Sequence, residues 1–173
     1  MDTLEAILSR RSIRKYSSEA VTEEDVRALL EAAMAAPSAG NEQPWQFVVI
    51  TARATLEQIP SFHEYSKMLY EAPLAVLVCG DQRLKKYESF WVQDCAAATQ
   101  NLLLAAHALG LGAVWLGVYP DDGLESKLTE ILGLPPEVTP FALVAVGHPA
   151  EEKPPAGRFD ESRVHRERWG SEG

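Results

Sequence analysis

The sequence predicts one globular domain in which helices and strands are mixed, and three observations carry that prediction. Its 173 residues, 46% of them hydrophobic, suffice to bury a substantial core in a single domain. Some stretches repeat apolar residues at helical spacing, as in Val26, Leu29, Leu30, Ala33 and Met34. Others are continuous apolar runs of strand length, as in Ala75-Val-Leu-Val-Cys79.

Taken in order, Asp2 and Glu5 have the spacing of a capping box. Leu4, Ile7 and Leu8 give the short helix behind it an apolar stripe. Thr22 and Asp25 start the next helix, whose stripe is expected to face the core and which Pro37 ends. Gln46 to Thr51 reads as a strand, residues 54–71 as a weakly patterned helix, and Ala75 to Cys79 as a buried strand closed by Gly80-Asp81. Phe90 to Leu109 is the longest helix. Cys95, Ala98, Leu102, Ala106 and Leu109 trace its apolar face, and Gln93, Gln100 and His107 form a polar line. Gly110 stops it. Ala113 to Val118 is a strand in which Gly117 permits close approach to the backbone. A helix capped by Asp121 or Asp122 ends at Gly133, and Phe141 to Val146 is the last strand. The polar stretch from Ala150 to Gly173 cannot bury much of itself, and Phe159, Val164 and Trp169 suggest that it lies over another surface.

The chain is acidic, with a formal net charge of −9 and a pI near 4.9, which argues against nonspecific binding to nucleic acid or anionic membranes. Against that background, four of the sixteen basic residues fall within Arg10-Arg11-Ser12-Ile13-Arg14-Lys15. Guanidinium forks beside a serine hydroxyl suit phosphate oxygens. A basic turn at a helix C-terminus is the competing reading. Pro37-Ser-Ala-Gly-Asn-Glu-Gln-Pro-Trp45 is a turn-rich loop with amide and hydroxyl donors, or an ordinary helix-to-strand connection.

Much chemistry is missing. No GxGxxG follows a strand, and neither a Walker A sequence nor a GxSxG elbow occurs. His63, His107, His148 and His165 are scattered without metal-ligand spacing. Glu23-Glu24 and Asp121-Asp122 sit where helix dipoles account for them. Cys79 and Cys95 read as buried free thiols. With donors but no evident nucleophile, the chain suits a protein that holds an anionic cofactor and leaves the reaction to it. No signal peptide is visible at the N-terminus and Leu102 to Val118 is interrupted by His107 and Gly110, so a cytoplasmic location is expected.

Five motifs in order extend this reading: Arg10-Arg-Ser-Ile-Arg14, Pro37-Ser-x-x-Asn41-x-Gln-Pro-Trp45, Glu71-Ala-Pro-Leu, Gly110-Leu-Gly-Ala-Val-Trp-Leu-Gly117, and Gly147-His-Pro with Arg158-Phe159. Together they resemble the nitroreductase family over nearly the whole chain, in its smaller branch. The resemblance implies an α+β fold of three layers, with a central, mainly antiparallel sheet flanked by helices. It implies a homodimer with FMN at two interfacial sites. Residues 1–149 would form the FMN-binding domain, and 150–173 an extension wrapping the partner subunit. By the same resemblance Arg10, Ser12 and Arg158 grip the FMN phosphate, and Arg11 belongs to the same run. Arg14 approaches the pyrimidine edge of the flavin. Pro37, Ser38, Ala39, Asn41 and Gln43 contribute from the second subunit, and Trp115, Leu116 and Gly117 lie along the ring with a backbone N–H near N5.

The implied activity is ping-pong transfer of hydride from NADH or NADPH through flavin N5 to nitroaromatics, quinones or similar small acceptors. Reductive dehalogenation, flavin fragmentation, a non-catalytic flavin store or redox sensor, and a flavin-free anion binder are the alternatives. Larger members carry Pro-Glu-Gly where this chain has Trp115-Leu116-Gly117, and a longer lid insertion, so substrate preference does not carry over.

Overall fold

The computed structural model describes residues 1–170. Among them the order is α1 (Thr3–Ser9), α2 (Glu23–Met34), β1 (Trp45–Ile50), α3 (Arg53–Gln58), β2 (Leu74–Asp81), α4 (Trp91–Ala108), β3 (Gly112–Gly117), α5 (Asp122–Leu132) and β4 (Val138–Gly147). The strands form one sheet in the order β1-β2-β4-β3, every neighbouring pair antiparallel.

Antiparallel sheets often leave one face to water. This one does not. Along β2, alternation sends Leu74, Val76 and Val78 to one face and Ala75, Leu77 and Cys79 to the other, and all six are buried. The first face packs under α2 and α4 and the second under α3, α5 and the turns around Ile59 and Leu69. The three-layer α+β arrangement is therefore as expected. Pro140 is tolerated in β4 because the register slips at Val78/Cys79 and β3 has already ended opposite Ala142.

Most boundaries follow local chemistry. Asp2 accepts the Glu5 N–H at 2.9 Å, Thr22 Oγ1 that of Asp25 at 3.1 Å, and Asp121 Oδ1 those of Gly123 and Leu124 at 3.0 Å. Gly133 closes α5 in the left-handed region.

The apolar stripe expected on α1 lies outward: Leu4, Ile7 and Leu8 are 69%, 48% and 71% exposed, and only Ala6 is buried. Two expectations need correction. Met34, at the end of the α2 stripe, also faces solvent. Helical periodicity shows that a face is apolar, not what covers it. Residues 54–71 are not one helix but α3 followed by single 3-10 turns at Ile59–Ser61 and Lys67–Tyr70, since Pro60 removes a donor and restricts its predecessor. No helix among the described residues is long and apolar enough to cross a membrane.

Candidate cofactor site

The basic segment leaves α1 in extended conformation (Arg10 φ −53°, ψ 130°) and runs beside the otherwise free edge of β3. Ser12 bridges Ala113 in parallel, and the Ile13 N–H donates to the Ala113 carbonyl at 3.1 Å. Ile13 is buried and anchors the segment. Glycine at 112 is needed here, because a Cβ would lie 2.7 Å from the Ile13 side chain. The Tyr16 hydroxyl donates to the Ile13 carbonyl at 2.7 Å and adds a second anchor.

The start of the C-terminal stretch straps this segment from outside. Ser17 N–H donates to the His148 carbonyl and Ala150 N–H to the Lys15 carbonyl, each at 2.9 Å. Glu151 accepts the Arg14 N–H at 2.6 Å, Lys153 donates to the Ser12 carbonyl at 2.8 Å, and Arg11 donates to the Pro154 carbonyl. The Arg14 N–H and the Lys153 ammonium hold the Glu151 carboxyl below its ordinary value. Beyond the strap the chain is exposed, with Phe159 at 81% and Trp169 at 90%; Ser171, Glu172 and Gly173 lie outside the described residues.

Arg10 is the charge under most stress. Burial, then the nearby guanidiniums of Arg158 and Arg11, press its pKa below the usual arginine value. Arg10 thus has like charges near it from both ends of the chain, and among the described residues Arg10 and Arg158 have no carboxylate partner. Gathering like charges costs free energy, and a phosphate dianion would reverse the sign of that term. The donor set fits such a group.

Because the segment runs parallel to β3, the step from Arg10 to Arg14 covers about 13 Å of extended chain and ends at a cavity of about 1120 Å³. Arg14, Trp115, Leu116 and Gly117 line it, with Tyr65, Tyr119, Lys67 and Lys127 on other walls. His63 is part of this wall and is buried. Its Nε2 lies 3.0 Å from the Gly117 carbonyl, so Nε2 carries the proton and donates, fixing the peptide at the mouth of β3. Sequence reasoning treated His63 as scattered; only the fold brings residues 63 and 117 together.

Pro37, Ser38, Ala39, Asn41 and Gln43 do not line this cavity. Their loop enters β1, four strand spacings (about 19 Å) from the basic segment across the sheet. Its backbone is unusual: Gly40, Asn41 and Gln43 all have positive φ, near +50°. Asn41 and Gln43 side chains are exposed and bonded to each other at 2.7 Å. Structure therefore joins Arg14 with Trp115, Leu116 and Gly117 on one cavity, and sets Ser12 against Ala113 on the β3 edge with Arg158 among the charges near Arg10. It turns Arg11 to a second hollow lined by His107, Pro149 and Lys153, and leaves the loop at the far edge of the same chain.

Fold and site together define an α+β protein with a basic segment docked along one sheet edge beside a large cavity. The chain belongs to the nitroreductase family, whose model, described as "Nitroreductase family", matches residues 7–65 and 59–148. It is similar, at 49% identity over 98% of this chain and 88% of the relative, to a Methanothermobacter thermautotrophicus protein named "Putative NADH dehydrogenase/NAD(P)H nitroreductase". A crystal structure under the same name from Parabacteroides distasonis matches with a TM-score of 0.93 at 38% identity, over 96% of this chain and 98% of that one. A "putative nitroreductase in complex with FMN" from Desulfovibrio desulfuricans matches with a TM-score of 0.77 at 40% identity, over 87% and 88%.

Proposed function

We propose that the protein is an FMN-dependent oxidoreductase that takes hydride from NADH or NADPH and delivers it to nitroaromatic, quinone or similar small acceptors in alternating half-reactions. When bound, FMN supplies the redox chemistry at N5 of its ring, which is why the chain needs no acid–base residue of its own. The observation that carries the reading is the basic segment docked along β3 through Ser12 and Ile13 and ending with Arg14 on the cavity, with the like charges of Arg11 and Arg158 near Arg10 in support. Arg10, Ser12 and Arg158 hold the phosphate, with Arg11 in the same run. Arg14 brings positive charge to the ring edge, and Trp115, Leu116 and Gly117 form the wall along the ring.

Pro37, Ser38, Ala39, Asn41 and Gln43 complete the site from a second copy of the chain. The separation of loop and basic segment to opposite edges of the sheet supports this, as do the exposed Leu4, Ile7, Leu8, Met34 and Leu109. In this reading residues 1–149 are the FMN-binding domain of a homodimer. The extension is not wholly the partner-wrapping arm expected of 150–173, because Ala150 to Pro154 are bonded to the basic segment of their own subunit, and only the stretch beyond them, with Phe159 and Trp169, reaches over the partner. Cys79 and Cys95 are buried free thiols, which suits the reducing cytoplasm as the location.

Anaerobic mixing of the FMN-loaded protein with NADH, and separately with NADPH, tests the reading. Rapid bleaching of the flavin absorbance is expected with at least one of them. A flavin that stays oxidised would make the protein a store or sensor, and a colourless protein that cannot be reconstituted would leave only an anion binder.

A further inference from the structure

Glu42 and Asp94 are the least expected buried groups in the molecule. Glu42 sits inside the 37–43 loop and Asp94 in the first turn of α4, and they are 6% and 5% exposed. Each carboxylate uses one oxygen on backbone donors. Asp94 Oδ1 accepts the Ala39 N–H at 3.0 Å, and Glu42 Oε2 accepts the N–H groups of Lys86 and Tyr87 at 2.5 and 3.1 Å. The remaining oxygens, Glu42 Oε1 and Asp94 Oδ2, are buried with no donor. Two ionised carboxylates left in that state would repel, each with an unmatched lone pair. One proton between them removes both penalties.

We infer that Glu42 and Asp94 share a single proton in a carboxyl–carboxylate hydrogen bond, and that this pair is the positioning device that fixes the 37–43 loop for contact with FMN. The loop's role toward FMN rests on the function proposed above; the shared proton does not. The pair closes a circuit: α4 holds Ala39 through Asp94, and Glu42 holds the 86–87 backbone. The Lys86 ammonium returns to the Gly40 carbonyl at 2.8 Å. Tyr87 covers Gly40, where a Cβ would lie 2.7 Å from its ring. The circuit thus clamps the positive-φ stretch that presents Asn41 and Gln43.

The electrostatic surroundings agree. Burial raises the Asp94 pKa from 3.8, the Ala39 N–H opposes the rise, and hydrogen bonding with Glu42 and its charge reinforce it. Cys95, beside both carboxyls on α4, and Cys79 behind it on β2 are held as neutral thiols by burial. Asp81 is occupied by Arg83. Lys86 is the cation nearest the loop, and its ammonium is spent on a carbonyl. A carboxyl whose folded pKa is raised binds a proton that the unfolded chain releases, so its stabilising contribution is lost as pH rises through the folded value.

The test uses four full-length proteins: wild type, Asp94→Asn, Asp94→Ala, and Glu42→Gln with Asp94→Asn. First, infrared difference spectra of the apo-protein against pH report protonated carboxyl groups. One such band is expected in wild type above the ordinary carboxyl range, and it should vanish in Asp94→Asn. Its absence in wild type would overturn the inference, whatever FMN does. Second, FMN titrations are compared across pH. Wild-type affinity should weaken as pH rises through the titration of that band. Asp94→Asn, whose amide donates to Glu42, should stay within about threefold of wild type and lose the pH dependence. Asp94→Ala should bind FMN about tenfold more weakly, with the Ala39 N–H and Glu42 Oε1 left unpaired. The double amide sets two NH₂ groups against each other and should behave like the alanine variant; wild-type affinity in it would contradict a one-proton bond. If wild type itself binds no FMN, the proposed function fails while the infrared result still decides the shared proton.

Discussion

The middle of the sheet and its β3 edge are built on opposite terms. In β2 and β4 nearly every side chain is covered by the chain's own helices, and the pairing Leu74–Asp81 against Val138–Gly147 closes within one molecule. At the β3 edge the same chain leaves like charges together, apolar α1 residues in water, and a tail that buries little. The centre is self-sufficient and carries stability. The edge is unfinished alone, and in the function proposed above an anion and a second copy supply the missing parts.

That contrast can be broken at either end. Leu77→Ala, in the fully buried centre of β2, should cost about 2–5 kcal/mol, read as a lower denaturant midpoint of the apo-protein. A cost well under that range would mean the centre is not where stability resides. Arg158→Ala should do the reverse, weakening FMN by at least about tenfold through loss of a charged hydrogen bond. The apo-protein's thermal midpoint should hold or rise, since a like charge near Arg10 is removed. A stability loss without a binding loss would reverse the assignment of the two regions.

Leu8→Glu should shift the chain toward monomer in sedimentation without altering its circular dichroism, because Leu8 touches little within its own subunit. An unchanged oligomer would move the interface away from α1. The smallest effect concerns the strap. Glu151 is held below its ordinary 4.5 by the Arg14 N–H and Lys153, so its contribution is present above that value and lost as pH falls through the lowered folded value. Amide exchange at Arg14, relative to core amides, should lose protection in acid, and Glu151→Gln should flatten that response.

Residues differ in how openly they declared their roles. The strands of the centre were legible because continuous apolar runs have few alternatives, and α5 because Asp121 and Gly133 mark both ends. Arg10 and Arg158 could be linked only through resemblance, since nothing local says that residues at opposite ends of a chain meet. The α1 stripe was legible as a pattern but not as a surface. Glu42 and Asp94 were invisible: each looks like an ordinary polar residue until the fold buries one against the other. His63 gave no signal either, because its partner is a backbone carbonyl on β3.

The most direct measurement compares FMN with riboflavin as ligands of the apo-protein, which differ only in the phosphate. If the converging arginines hold that phosphate, wild type should favour FMN by about a hundredfold or more, and Arg10→Ala should remove most of the gap. Equal affinity for the two flavins in wild type would contradict the account at its centre.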